Sequence, residues 1–377
     1  MGQLSIAAQD GIKAAALGKP GRLTIDLSAM RRNYSKVSAI VRPAHATAVV
    51  KANAYGLGAI PVSRALYEEG CRHFFVAQYE EADDLRPALP GDAQIFILNG
   101  LQPGNERACA QNGIIPVLNS LDQLKLWADA ARRSRHVLKA VLQFDTGMSR
   151  LGFPQNEQVL LAETLQDYWN VEILFVMSHL ASADESESEQ NGLQLEELNR
   201  ITRKFPNLPI CFANSGGVFL GEDYHASLVR PGIAVYGGAP TAGTPNPMEP
   251  VVTLEVAVVQ TRSVPAGTRV GYGGVHMTTS TRRLATLGAG YADGLPRSLS
   301  DRGAVYYGDL RLPIVGRVSM DSMTIDVTEV PEGALRLGSL VEVVGPHQTL
   351  EDVAEAANTI SYEILTRLGD RYHREYR

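Results

Sequence analysis

Between residues 46 and 240 one theme recurs eight times. A short apolar or β-branched run ends in a polar or glycine-rich turn, and an amphipathic stretch often follows. The runs are residues 47–50, 73–77, 94–98, 114–118, 138–142, 173–177 and 209–213, then 228–229 leading into 232–235. Stretches 121–133, 155–167 and 190–205 place apolar residues at helical spacing, and Ser120 stands where a helix N-cap is expected. Eight strand–helix units predict a (β/α)8 barrel, the TIM-barrel architecture, in which function sits at the C-terminal ends of the strands. Those ends carry Lys51, Asn99, Asn119, Asp145 with Arg150, His179, Asn214 with Ser215, and Arg230. A purely structural barrel has no need of such residues on one face.

The rhythm changes at Gly243-Thr244-Pro245-Asn246-Pro247, a turn-rich linker. Beyond it strand follows strand, at 251–261, 284–287, 304–307, 312–315, 324–327 and 340–344, with one helical stretch at 349–368. The reading is therefore α/β: an N-terminal extension at 1–22, flexible or loosely docked, a barrel over 23–245, and a mainly β C-terminal domain over 246–377. Residues 22–26 could form a further strand before the barrel.

A chain of 377 residues exceeds one ordinary compact domain. Its 45% hydrophobic and 20% charged content predicts a packed core and excludes disorder. The net charge of −6 and scattered basic pairs argue against a nucleic-acid surface. No apolar run is long enough to span a membrane, and the first residues lack the pattern of a signal peptide. Three cysteines without a CxxC pair point to a reduced, cytoplasmic setting.

Residues 48–58, AVVKANAYGLG, end an apolar run in Lys51 and continue as a small, glycine-punctuated turn. A lysine at the end of a buried strand is costly unless its amine is paired or used covalently. Lysine shifts its pKa readily and condenses with carbonyl compounds, pyridoxal phosphate among them. Such a site also needs phosphate donors, a partner for the pyridine nitrogen and a cation for a substrate carboxylate. Asn214-Ser215-Gly216-Gly217 and Arg230-Pro231-Gly232-Ile233 follow the seventh and eighth strands, the usual phosphate position of this barrel.

The chain resembles the alanine racemases, pyridoxal-phosphate enzymes of fold type III. The matching motifs are AVVKANAYGLG (48–58), DTGMSRLGF (145–153), SHLASADE (178–185), ANSGG (213–217), VRPGIAVYG (229–237), VGYGG (270–274), GYADGLPR (290–297) and GRVSMD (316–321). They occur in the family's order and span most of residues 23–370. The resemblance implies that Lys51 binds pyridoxal 5′-phosphate and is the base on the D-alanine face. Tyr272 would be the opposite base, reaching the cofactor from the other subunit of a homodimer. A free phenol has a pKa of about 10, so such a base needs a cationic neighbourhood. His179 and Arg230 would form the network behind it, with Arg230 facing the pyridine nitrogen. Arginine donates a hydrogen bond there without giving up a proton.

By the same resemblance Tyr55, Ser215, Gly232, Ile233 and Tyr362 would hold the phosphate, with Asn214 beside them. Arg150, Tyr291, Met320 and Asp321 would bound the substrate. One position departs from the family: where many members carry a lysine, often carbamylated, that orients the arginine, this chain has Gln143, so that either its amide oxygen or a bound anion would hold Arg150. The expected activity is L-/D-alanine interconversion by two bases, supplying D-alanine for peptidoglycan. The competing readings are a broad-specificity or serine racemase, a decarboxylase of the same fold type, and a non-catalytic cofactor carrier. The last resembles the barrel alone, and the decarboxylase's cysteine motif is not seen.

Overall fold

A computed structural model describes residues 18–377; the rest of the expected extension, residues 1–17, lies outside the described residues. The chain divides into two compact units, 30–249 and 18–29 with 250–377.

The first unit is a parallel barrel. Its strands run in the order His45–Ala46, Leu228–Val229, Ile210–Cys211, Val171–Met177, Leu138–Gln143, Ile115–Leu118, Gln94–Ile97, His73–Val76 and Ala48–Val49. The first and last of these are two halves of one stave, parted at Thr47. Thr47 keeps the ladder by donating its N–H and its Oγ1 to Val229 O, at 3.0 and 2.8 Å. Val49 N reaches Pro231 O and Val50 N reaches Phe75 O. Counted as one stave, the halves close an eight-stave barrel, as the eightfold repeat predicts.

The barrel core is aromatic and aliphatic. Phe75, Phe96 and Phe175 form a chain of ring contacts, with the first two stacked at 4.7 Å and the last two tilted at 5.3 Å. On the helical layer Trp127 buries its ring and donates Nε1 to Lys139 O. The helix Leu121–Ser134 begins at Ser120, whose side chain accepts from Gln123 N as its N-cap position requires.

The second unit is built on a sheet in which the long strand Val252–Val264 pairs antiparallel with Leu340–Val344, Arg282–Leu287 and Gly21–Ile25. Alternate residues Leu254, Val256 and Val258 are fully buried. Gly21–Ile25 also pairs parallel with His373–Tyr376. The strand at 21–25 therefore belongs to this sheet, although the sequence reading began the barrel at residue 23. The helical stretch expected at 349–368 is two helices, Leu350–Ala356 and Ser361–Thr366. Asn358, at φ 54°, takes the left-handed conformation and breaks it.

Candidate active site

The barrel strands deliver their terminal residues as the repeat predicts. Lys51 follows Ala48–Val49 after one intervening residue, Val50, and is partly buried. Burial and the positive charges of Arg150 and Arg230 hold its amine below the usual lysine pKa, while the carboxylate of Glu81 opposes them. The effect is an amine readier to be neutral, and so nucleophilic or basic, near neutral pH.

Arg230, at the end of Leu228–Val229, is 3% exposed and held on every side. Nη1 donates to Cys211 O and to Cys211 Sγ, both at 3.0 Å. Nη2 donates to Ser178 O at 2.6 Å, to Phe212 O at 3.3 Å and to His179 Nδ1 at 3.2 Å. The terminal N–H groups are thereby occupied, and Nε–H is the donor left for a ligand among the described residues. Since guanidinium only donates, His179 Nδ1 must accept, which leaves the imidazole hydrogen on Nε2. Burial first, then the charges of Arg230, Arg150 and Lys51, hold the His179 pKa well below its ordinary value.

The turns after the last two strands form a cradle. Ser215 Oγ accepts from Gly232 N at 2.8 Å and Ala234 N at 3.2 Å, locking one turn to the other. Asn214 Oδ1 accepts from Gly217 N and its amide donates to Leu180 O. The backbone N–H groups of Ser215, Gly216 and Ile233 have no acceptor among the described residues, although all three residues are buried. Buried N–H groups without partners are rare and mark a place for an anion. The Tyr55 phenol reaches the same turn: a Cβ on Gly232 would lie 2.2 Å from its oxygen. Tyr55 cannot easily swing away, because its ring stacks at 4.5 Å on Tyr236, whose hydroxyl donates to Val49 O.

Gln143, Asp145, Met148, Arg150, Ser178 and His179 line one small cavity. Gln143 and Arg150 thus share a cavity, with Gln143 buried and Arg150 exposed. Asp145 Oδ1 gathers Gly147 N, Met148 N and Ser149 N, shaping the loop that carries Arg150. Buried Gln194 ties this loop to the next strand end through Thr146 Oγ1 and His179 O. Neither Gln194 nor Glu81 was singled out by the sequence reading. Glu81 had a signal, since it stands three residues into a helix as in a capping box; Gln194 had none. A separate cavity of about 670 Å³, lined by Arg107, Ala110, Arg133 and His136 among others, opens near the start of Leu138–Gln143. It holds none of these residues.

The remaining expected residues lie in the second unit. Tyr272 is 72% exposed, between Gly271 and Gly273, both at φ 71°. A Cβ on Gly271 would come 3.2 Å from Arg317 N. Tyr291 N donates to Ser319 O and Ala292 N to Met320 O. The motifs carrying Tyr272, Tyr291 and Met320 therefore converge on the loop 316–321. Asp321 is ion-paired with Arg371, which also approaches buried Asp293. Tyr362 stands in Ser361–Thr366, partly exposed.

The residues present suit pyridoxal phosphate: an amine whose pKa is lowered, an anion cradle, and a fixed arginine with one donor to spare. Comparison with known proteins agrees. Residues 25–240 match the family described as alanine racemase, N-terminal domain, and residues 251–376 match alanine racemase, C-terminal domain. The chain is 68% identical over 362 residues to a catabolic alanine racemase of Rhizobium johnstonii, covering 96% of each. It is 57% identical to the catabolic alanine racemase of Agrobacterium fabrum, covering 96% of this chain and 93% of that one. Its fold superposes with a TM-score of 0.91 on the crystal structure of alanine racemase from Bartonella henselae with covalently bound pyridoxal phosphate. That relative is 44% identical, and the match covers 95% of this chain and 99% of the other.

Proposed function

The chain belongs to the alanine racemase family, and from that premise we propose that it interconverts L- and D-alanine with two bases on opposite faces of the α-carbon. It is a pyridoxal-phosphate-dependent isomerase. When bound, the cofactor supplies the electron sink that acidifies the α C–H of an amino acid. Lys51 holds it and takes or returns the proton on one face. Tyr272, presented by a partner chain, does so on the other. The N–H cradle of Ser215, Gly216 and Ile233, on a turn that Gly232 leaves open, would hold the phosphate with the Tyr55, Ser215 and Tyr362 hydroxyls and Asn214 alongside.

Arg230 would offer Nε–H, its remaining donor, to the pyridine nitrogen, and a guanidinium gives up no proton there. His179 is the neutral link behind the tyrosine. Arg150 faces the substrate carboxylate, with Tyr291, Met320 and Asp321 bounding the pocket. Gln143, which lines the same cavity as Arg150, would orient it through its amide oxygen, or a bound anion would do so.

One observation carries this reading: a lysine whose pKa is lowered by burial and by Arg150 and Arg230 stands at the barrel end that also carries a cradle of unpartnered N–H groups on buried residues. The test is racemisation of L-alanine by purified protein with pyridoxal phosphate, read by chiral chromatography, with L-serine and L-lysine in parallel. Conversion of alanine alone is expected. Equal turnover of all three would make the protein a broad-specificity racemase. No turnover, with cofactor bound, would sink the assignment in favour of a carrier.

The homodimer and a cytoplasmic setting belong to the same proposal. The cysteines are free and buried, and among the described residues no helix is long and apolar enough to cross a membrane. Supply of D-alanine for peptidoglycan is one physiological reading. The catabolic names of the relatives at 68% and 57% identity favour a second, in which the enzyme serves breakdown of alanine. A deletion strain that needs added D-alanine to grow supports the first, and one that only fails to grow on alanine as carbon source supports the second.

A further inference from the structure

Beyond Lys51 the chain runs left-handed through four residues without a glycine. Ala52, Asn53, Ala54 and Tyr55 have φ of 52°, 54°, 53° and 54°, and the first three have ψ of 49°, 48° and 56°. This conformation costs roughly 1–2 kcal/mol per residue and persists only where its surroundings over-determine it. Part of the restraint is internal: Gly56 N donates to Ala52 O and Gly58 N to Asn53 O, both at 2.8 Å. Asn53 Oδ1 accepts from Ala59 N at 2.8 Å. The rest comes from a different βα loop. Glu81 Oε1 accepts from Ala52 N at 2.6 Å, while Oε2 accepts from Ala77 N at 2.7 Å and Gln78 N at 3.2 Å.

We propose that Glu81 is a positioning residue for Lys51. Its carboxylate straps the peptide immediately after the lysine to the turn that follows the neighbouring strand. Ala52 N is the first donor past the lysine, so the strap fixes the backbone from which the side chain leaves. Four charged or titratable groups bear on the lysine amine: Arg150, Arg230, His179 and Glu81. The two arginines favour the neutral amine and a protonated imidazole would act likewise, so Glu81 alone among them favours the ammonium form. Strap and charge together set where the amine stands and at what pH it becomes reactive.

The inference rests on Lys51 as the cofactor lysine, but its first test does not need the cofactor. Apoprotein is acetylated at a series of pH values, and modification of Lys51 is quantified by peptide mass spectrometry in wild type, Glu81→Gln and Glu81→Asp. Removing the charge should move the Glu81→Gln labelling curve to lower pH by on the order of one unit. Glu81→Asp keeps the charge and should leave the curve near wild type, while its shorter arm loosens the strap. Release of pyridoxal phosphate from the Glu81→Asp holoprotein, followed by its visible absorbance, should then be several-fold faster. An unmoved curve in folded Glu81→Gln overturns the proposal, as does unchanged cofactor release in Glu81→Asp. If Glu81→Gln does not fold, the release rate of Glu81→Asp decides alone. Should Lys51→Ala retain the visible band, the cofactor assignment fails while the labelling result on Glu81 stands.

Discussion

At the scale of single residues, Arg230 decides the state of His179. A guanidinium cannot accept, so the 3.2 Å contact to Nδ1 needs an unprotonated nitrogen there. Protonating the ring would break that bond and place a cation among Arg230, Arg150 and Lys51, and burial adds to the cost. The folded-state pKa is depressed, so the unfolded chain takes a proton that the folded chain refuses. The resulting stability is whole above pH 6.5, the ordinary value, and is lost as pH falls below it towards the folded pKa. Its slope is at most about 1.4 kcal/mol per pH unit. Denaturant unfolding of wild type and His179→Gln at pH 7, 6 and 5 should show wild type losing stability faster than the variant. Parallel curves would mean the imidazole titrates normally in the fold.

At the scale of elements, the cradle depends on two turns meeting without side chains between them. A Cβ at Gly232 would press on Tyr55 Oη at 2.2 Å, and the stacked Tyr236 blocks its retreat. Gly232→Ala should therefore cost about 1–3 kcal/mol of packing strain. It should weaken pyridoxal-phosphate binding on the order of tenfold or more, since 1.4 kcal/mol is a factor of ten. Equilibrium titration of apoprotein with the cofactor measures this, and unchanged affinity would remove Gly232 from the phosphate site. The sequence showed where this cradle lies, because each turn follows its own strand within a few residues. It did not show Glu81 as a strap, because the three N–H groups it joins come from two separate loops. Nor did it show the split stave at Thr47, since one residue's departure leaves no mark on an apolar run. Residues 22–26 are expected as a possible further strand before the barrel, and the structure makes Gly21–Ile25 a strand of the second unit's sheet. Its true partner, Val252–Val264, lies more than two hundred residues away, and periodicity is blind to such pairings.

At the scale of the whole molecule, the second unit displays its motif residues to solvent. Tyr272, Val275, Met277, Tyr291 and Met320 are 72%, 50%, 56%, 44% and 52% exposed. Large apolar side chains left open in one chain are what an interaction surface offers. On the proposed reading that surface belongs against the barrel of a second copy, so each active site takes Lys51 from one chain and Tyr272 from the other. An isologous dimer then makes a quantitative prediction. Lys51→Ala and Tyr272→Ala homodimers should each be nearly inactive. Co-refolded in equal amounts, they give one half heterodimers, in each of which one site joins both mutant positions and the other joins both intact ones. Racemase activity should return to roughly a quarter of the wild-type level, from statistical pairing of two chains in a C₂ dimer. Recovery must follow chain mixing and must be absent when the folded homodimers are combined without exchange. If co-refolding restores nothing, lysine and tyrosine serve the same site from one chain, or tyrosine is not the second base. A single-chain arrangement would leave Tyr272→Ala, with its own Lys51 intact, unable to rescue a partner. The outcome therefore separates a shared site from two self-sufficient ones.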